Sequence, residues 1–277
     1  YFPATQLNDT LETRLINNLY FAGQINGTTG YEEAACQGLI AGINAHRKIN
    51  ELDKVVFSRS EAYIGVLIDD LITKSTDEPY RMFTSRAEFR ILLRQDNADL
   101  RLTELGYKIG LADEKRRQKV QEKQLDISQL IGTLKDIKVN PESINDNFNQ
   151  SGIVPIKEKQ TIYQLLKRPE LTISILKQFH EGLRNALENY GQEIVEQAEI
   201  QAKYEMYIQK EKELVEKFKR LENCHIPSEF DYMQIKALSA EGREKLKKYK
   251  PTTIGQASKI SGVSPADIAI LMVYMGR

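Results

Sequence analysis

Cysteine is scarce in this chain: Cys36 and Cys224 are the only 2, far apart, with no C-x-x-C pair and no histidine at ligand spacing. That argues against a disulfide framework or a zinc site, and for reduced thiols in the cytoplasm. His46, His180 and His225 stand alone, so no histidine-based catalytic cluster is legible. No apolar run reaches bilayer length and no basic–apolar–small signal pattern opens the chain, which gives a cytoplasmic reading with no membrane. Neither charge sign is in excess, since Lys+Arg and Asp+Glu both number 39, so any affinity for nucleic acid must come from a local patch. Also missing is a G-x-G-x-x-G after a strand, the opening of a dinucleotide fold. Tyr1 in place of an initiator methionine suggests a truncated chain.

What is present begins with residues 19–44. They read as a buried strand over 19–22, a glycine-rich turn and then a helix. A helix that starts at glycines offers free N–H groups and the positive end of its dipole, a ready place for an anion or an electron-rich ring. Gly23, Gly27 and Gly30 let backbone approach a ligand that a Cβ would push away. Past the turn, Gly38, Ala41, Gly42 and Ala45 keep one helix face small. An ordinary strand–turn–helix corner accounts for one of the three turn glycines but not for all.

A moderately amphipathic helix follows from Glu61, broken at Glu78-Pro79. Ser85 with Glu88 has the form of a capping box, which predicts a second helix with Phe89, Leu92 and Leu93 buried. On that helix Arg86, Arg90 and Arg94 would form an i, i+4, i+8 ladder, extended by Arg81 and Arg101. The ladder suits phosphate contact; the alternative is an ion-pair network with Glu78, Glu88, Asp96, Asp99 and Glu104.

Asp113 caps the next expected helix, with Val120, Ile127, Ile131, Leu134 and Ile137 along one stripe. Its basic cluster, Lys115, Arg116, Arg117 and Lys119, reads as a solvated face, with a second phosphate contact as the alternative. Residues 140–159 read as a loop, and 162–166 and 171–179 as short helices. A long helix over 193–221 is expected to pack as an antiparallel partner of the 113–137 helix, with protein docking as the other use of its stripe. The C-terminal stretch predicts helix, tight turn, helix over 254–260 and 265–275. A DNA-reading role is disfavoured, because Pro265 to Tyr274 offers almost no long polar side chain to a groove.

Four stretches carry a family resemblance: residues 19–44 with Asn26-Gly27-Thr28-Thr29-Gly30, residues 78–104 with Pro79-Tyr80-Arg81-Met82-Phe83-Thr84-Ser85-Arg86, and residues 197–208 and 251–271. The chain resembles the C-terminal part of the GidA/MnmG family of flavoproteins, which modify the wobble uridine of certain tRNAs. The resemblance implies a full-length parent that binds FAD and uses NADH and methylenetetrahydrofolate. With a GTPase partner of the MnmE/TrmE type, such a parent installs a carboxymethylaminomethyl group at C5 of the uridine, and it is commonly a homodimer. It further implies that Gln24 contacts the flavin, that Gly27 to Gly30 line the site, and that Gly23, Thr28, Thr29 and Glu32 border it. Arg81, Arg86, Arg90, Arg94 and Arg101 become candidate tRNA contacts. The first dinucleotide-binding strand, the NADH-side elements and the family's reactive cysteines are absent, so no catalytic residue is assigned and flavin binding by this chain alone is not expected.

The expected fold is mainly α. It comprises an α/β remnant of a flavin-binding domain (1–48), a central helical bundle with a long helix pair (49–226) and a small C-terminal helical unit (227–277). The competing function is a helical protein-interaction module with no nucleic-acid binding of its own.

Overall fold

In a computed structural model that describes residues 2–74, 78–222, 224–227, 229–260 and 262–275 (the side chains of Glu222 and Lys259 aside), the chain is mainly α-helical. Helices α1 (Tyr31–Ile49) and α2 (Tyr63–Thr73) precede α3 (Ala98–Lys108) and α4 (Glu114–Asp136). A two-stranded antiparallel sheet of β1 (Lys138–Val139) and β2 (Gln160–Thr161) encloses α5 (Pro141–Gln150). Then come α6 (Ile162–Leu165), α7 (Ile173–Phe179), α8 (Glu181–Leu187) and the long α9 (Gln192–Glu222), followed by α10 (Ala240–Tyr249), α11 (Ile254–Lys259) and α12 (Pro265–Tyr274). Two compact units result: Tyr1–Leu93 with Glu211–Arg277, and Arg94–Lys210.

In the first unit α1 and α2 pack through Ile40, Ala41 and Ile68, with Leu7 and Leu11 from the N-terminal segment completing the core. Burial along α1 falls on Glu33, Gln37, Ile40, Ala41 and Asn44, one helical stripe that is polar at its N-terminal end. A second apolar cluster joins Val66, Ala87, Phe89, Leu93 and Val215, and Phe218 sets its ring edge-on to Phe89 at 5.5 Å. The C-terminal helices close on their own core of Tyr232, Leu246, Ile254, Ala257 and Leu271. There Ser264 and Asp267 form a capping box that starts α12, and Asp267 also accepts from the N–H and hydroxyl of Ser239, the N-cap of α10. One carboxylate thus fixes two helix starts. The expected helix–turn–helix is present; Ser261, in its turn, lies outside the described residues.

The second unit buries Ile127, Leu130 and Leu134 of α4 with Phe148, Leu165, Leu176, Ile194 and Ala198. Lys123 of α4 pairs with Glu193 near the start of α9. Farther along, Tyr163 of α6 lies under Lys135 and hydrogen-bonds Glu205. Residue numbers therefore rise together on α4 and α9, and the two run in the same direction with α6 between them, where an antiparallel pair was expected.

Three other local expectations also fail. Residues 19–22 form no strand: Tyr20 makes a single bridge to Glu12, and Ala22 is exposed. Residues 85–94 are no helix but a 3₁₀ turn over Thr84–Arg86 and further turns. Glu88 turns to Arg59 instead of back to Ser85, and Glu211 takes the N–H groups of Ile91 and Leu92 at 3.4 and 3.0 Å. Half of the expected 140–159 loop is α5, because Pro141 suits a first helical position and Ile144 and Phe148 fill the core.

Candidate functional site

The glycine turn is built from side chains buried beneath it. A 3₁₀ turn over Gln24–Asn26 ends at Gly27, whose φ of 79° lies in the left-handed region that favours glycine. Gln37 of α1 holds this loop from below: its Oε1 accepts the Gly23 N–H at 3.1 Å and the Asn26 amide at 2.7 Å, and its Nε2 donates to Thr28 Oγ1 at 2.9 Å. Thr28 in turn donates its hydroxyl to Gly23 O at 3.1 Å. From the other side the Tyr80 N–H donates to Gly27 O at 2.7 Å. These bonds leave the Asn26 Oδ1 buried without a partner.

Gln24, Gly27, Thr28 and Thr29 line one cleft of about 310 Å³, together with Asn26, Lys74 and residues of the N-terminal segment. Gln24 and Thr29 are exposed and Thr28 is buried. Gly23 and Gly30 are buried outside that lining, and Glu32 is exposed away from it. The side chain that sequence reasoning missed is Glu33. Its carboxylate accepts from the Met82 N–H at 2.9 Å and pairs with Arg81 at 3.4 Å. A Cβ on Gly30 would sit 1.6 Å from Glu33 Oε2, so glycine is needed at 30 to admit this chain's own carboxylate at the start of α1. The Met82 N–H bond outweighs burial, and with the Arg81 charge it holds the Glu33 carboxyl below its ordinary range. The signal for Glu33 was in the sequence: it shares a helical stripe with Gln37, Ile40 and Asn44.

Beside the turn lies a buried charge cluster. Arg59, its side chain 8% exposed, donates to Asp70 Oδ1 at 2.6 Å, to Asp69 at 3.0 Å and to Glu88 at 2.7 Å. Asp70 is fully buried and also takes Lys74 at 2.7 Å and the Tyr80 hydroxyl at 2.9 Å. Burial alone would raise the Asp70 carboxyl, but the hydrogen bond from Lys74 and the Arg59 charge outweigh it and keep the group ionised. Burial and the neighbouring Asp70 push the Tyr80 phenol up, so it is a donor throughout the physiological range.

The five expected arginines do not form a ladder. Arg81 is about half exposed and pairs with Glu33; Arg86 lies 4.4 Å over the Tyr80 ring and donates to Arg81 O; Arg90 is exposed and donates to Ala87 O. Arg94 and Arg101 belong to the second unit, where Arg94 chelates Asp96 and Arg101 donates to Asn97 and to Arg94 O. Burial pushes the Cys36 thiol up to about 11, which suits a packed filler and not a nucleophile. Among the described residues no group of histidines, cysteines and carboxylates is placed to hold a metal ion, and no helix is long and apolar enough to cross a membrane.

Three family models match in sequence order. Residues 1–53 match "Glucose inhibited division protein A", residues 114–212 "tRNA modifying enzyme MnmG/GidA C-terminal helical domain", and residues 214–277 "tRNA modifying enzyme MnmG/GidA C-terminal helical bundle". Similar curated proteins are the tRNA uridine 5-carboxymethylaminomethyl modification enzymes MnmG of Cytophaga hutchinsonii, 58% identical, and of Flavobacterium psychrophilum, 53% identical. Each match covers 100% of this chain and 45% of the relative, so the chain spans a little under half the length of these proteins. The form II crystal structure of Aquifex aeolicus GidA superposes with a TM-score of 0.77 at 42% identity, covering 99% of this chain and 43% of that one.

Proposed function

The chain belongs to the MnmG/GidA family of tRNA-modifying proteins, and from that premise we propose that it is the tRNA- and partner-binding part of a flavin-dependent enzyme. With a GTPase partner of the MnmE/TrmE type, that enzyme would install a carboxymethylaminomethyl group, or its aminomethyl relative, at C5 of the wobble uridine. The observation that carries the reading is identity of 58% across all 277 residues with a relative named for that modification.

The glycine turn borders a cleft that could take part of a ring ligand. Its cleft of about 310 Å³ is lined by Gln24, Thr28 and Thr29, with the polar side chains of Gln24 and Thr29 exposed, and Gly27 places no side chain in the way. Gln24, Gly27, Thr28 and Thr29 would hold the flavin edge, with Gly23, Gly30 and Glu32 shaping the turn around them. When bound, FAD supplies the redox chemistry, with NADH and methylenetetrahydrofolate as co-substrates of the longer enzyme. This chain's contribution is to fix the loop through Gln37 and Tyr80.

Arg81, Arg86 and Arg90 of the first unit, and Arg94 and Arg101 of the second, are the proposed tRNA phosphate contacts; Arg81 and Arg90 are the most accessible. A guanidinium gives a phosphate two parallel hydrogen bonds, which suits a polynucleotide backbone. The test is a fluorescence-anisotropy titration of an unmodified tRNA transcript at low and moderate salt. Binding that weakens with salt and is lost on charge reversal of Arg81, Arg86 and Arg90 supports the reading. A folded chain that binds no tRNA would leave the protein-only interaction module standing in its place.

A further inference from the structure

We infer that the first two turns of α4 form an RNA-phosphate contact through Lys115, Arg116 and Lys119; this rests on the reading that the chain binds tRNA and gives that binding a second locus. The cluster is badly placed for helix stability. Lys115 and Arg116 occupy the first turn of α4, beside the positive end of the helix dipole, and Lys119 follows Lys115 and Arg116 at i+4 and i+3, so like charges face each other. Asp113 at the N-cap and Glu114 in the first turn offset the dipole there, but neither carboxylate pairs with these three side chains. All three side chains are exposed, and among the described residues none makes an ion pair or a side-chain hydrogen bond. Their neighbour Arg117 behaves differently: it donates to Glu104 at 2.9 Å and Glu114 at 3.4 Å and stacks 4.6 Å over the Tyr107 ring. The nearby acids Glu104 and Glu114 are thereby already engaged. Lys108, 67% exposed and only 3.8 Å from Glu104, adds a further cation at the same α3–α4 corner.

The cations of α10 are placed differently. Lys247 and Lys248 sit in its last turn, where the negative end of the dipole favours them, so their presence needs no ligand. The α4 cations have no such explanation. The α3–α4 corner, held by Arg117 on Tyr107, presents three unpaired cations that fit a run of backbone phosphates.

The test compares the 277-residue chain with its K115Q/R116Q/K119Q variant, titrating an unmodified tRNA transcript over a series of salt concentrations. The inference expects the slope of log affinity against log salt to shrink by about 2–3, since each lost phosphate contact removes roughly 0.7–0.9. It also expects a variant Tm equal to or above the parent's, because cations leave a helix start. An unchanged slope in this variant, with binding lost on charge reversal of Arg81, Arg86 and Arg90, overturns the α4 contact and leaves the tRNA reading intact. No binding of tRNA by the parent chain overturns both. A lowered variant Tm would show that the cations are structural and would also overturn the inference, as would binding of phosphatidylglycerol vesicles, but not tRNA, through these residues.

Discussion

The N–H of Tyr80 donates to the carbonyl of Gly27 across 2.7 Å, in a parallel bridge that sets Tyr80 opposite Thr28. Through this bond the glycine turn and the arginine-bearing segment, far apart in sequence, meet as one structural piece. The Tyr80 ring carries Arg86 on its face and its hydroxyl ends on Asp70, so the same residue joins the proposed flavin edge, a proposed phosphate contact and the buried charge cluster.

Replacing Tyr80 by Phe keeps the backbone bond and removes the hydroxyl from a fully buried carboxylate. The expected cost is about 1–3 kcal/mol, the penalty of an acceptor left short of a donor. Urea unfolding with an unchanged m-value checks it; a variant as stable as the parent would mean that Asp70 is satisfied without Tyr80.

Arg59→Met should be far more damaging. It leaves Asp70 buried with Lys74 as its remaining cation, and breaking a buried pair from one side costs about 3–5 kcal/mol. The partner Glu88 is 42% exposed, so Glu88→Gln should cost under about 1 kcal/mol. Thermal unfolding of the two variants side by side separates the arms of the cluster.

Asp267 gives a pH signature. Burial raises its carboxyl, but the bonds from Ser264 and Ser239 outweigh this and bring it down to about 2. A group depressed on folding contributes stability that is fully present above its unfolded value, near pH 4, and is lost as pH falls through about 2. Asp267→Asn should therefore weaken the C-terminal helices at pH 7 and flatten the acid limb of their unfolding, followed by amide hydrogen exchange of residues 240–274 across a pH series.

Cys36 should resist alkylation in the native chain. With the thiol pushed up to about 11, almost none is thiolate at neutral pH. Iodoacetamide labelling at pH 7.5 is expected to reach Cys36 at a free-thiol rate only in denaturant. Fast native labelling would contradict its role as a filler.

The parts of the fold that could be read from the sequence were those set by local rules. The glycine turn, the start of α4 at Asp113 and the paired C-terminal helices depend on caps, glycines and apolar spacing within a few residues. The parts that could not be read depend on distant partners. Residues 85–94 satisfy a local helix pattern, yet Glu211 and Arg59 redirect their polar groups. Asp70 and Arg59 look like any surface charges until α2 folds one over the other. Glu32 and Glu33 are adjacent in sequence, and only the stripe through Gln37 and Ile40 tells which one is buried.

The most direct test of the central claim is ultraviolet crosslinking of the chain to a tRNA transcript, with peptide mapping of the adducts. Crosslinked peptides are expected from residues 81–90, with a second set from residues 114–120. Adducts confined to the C-terminal helices after residue 227, or none from a folded chain, would contradict that claim.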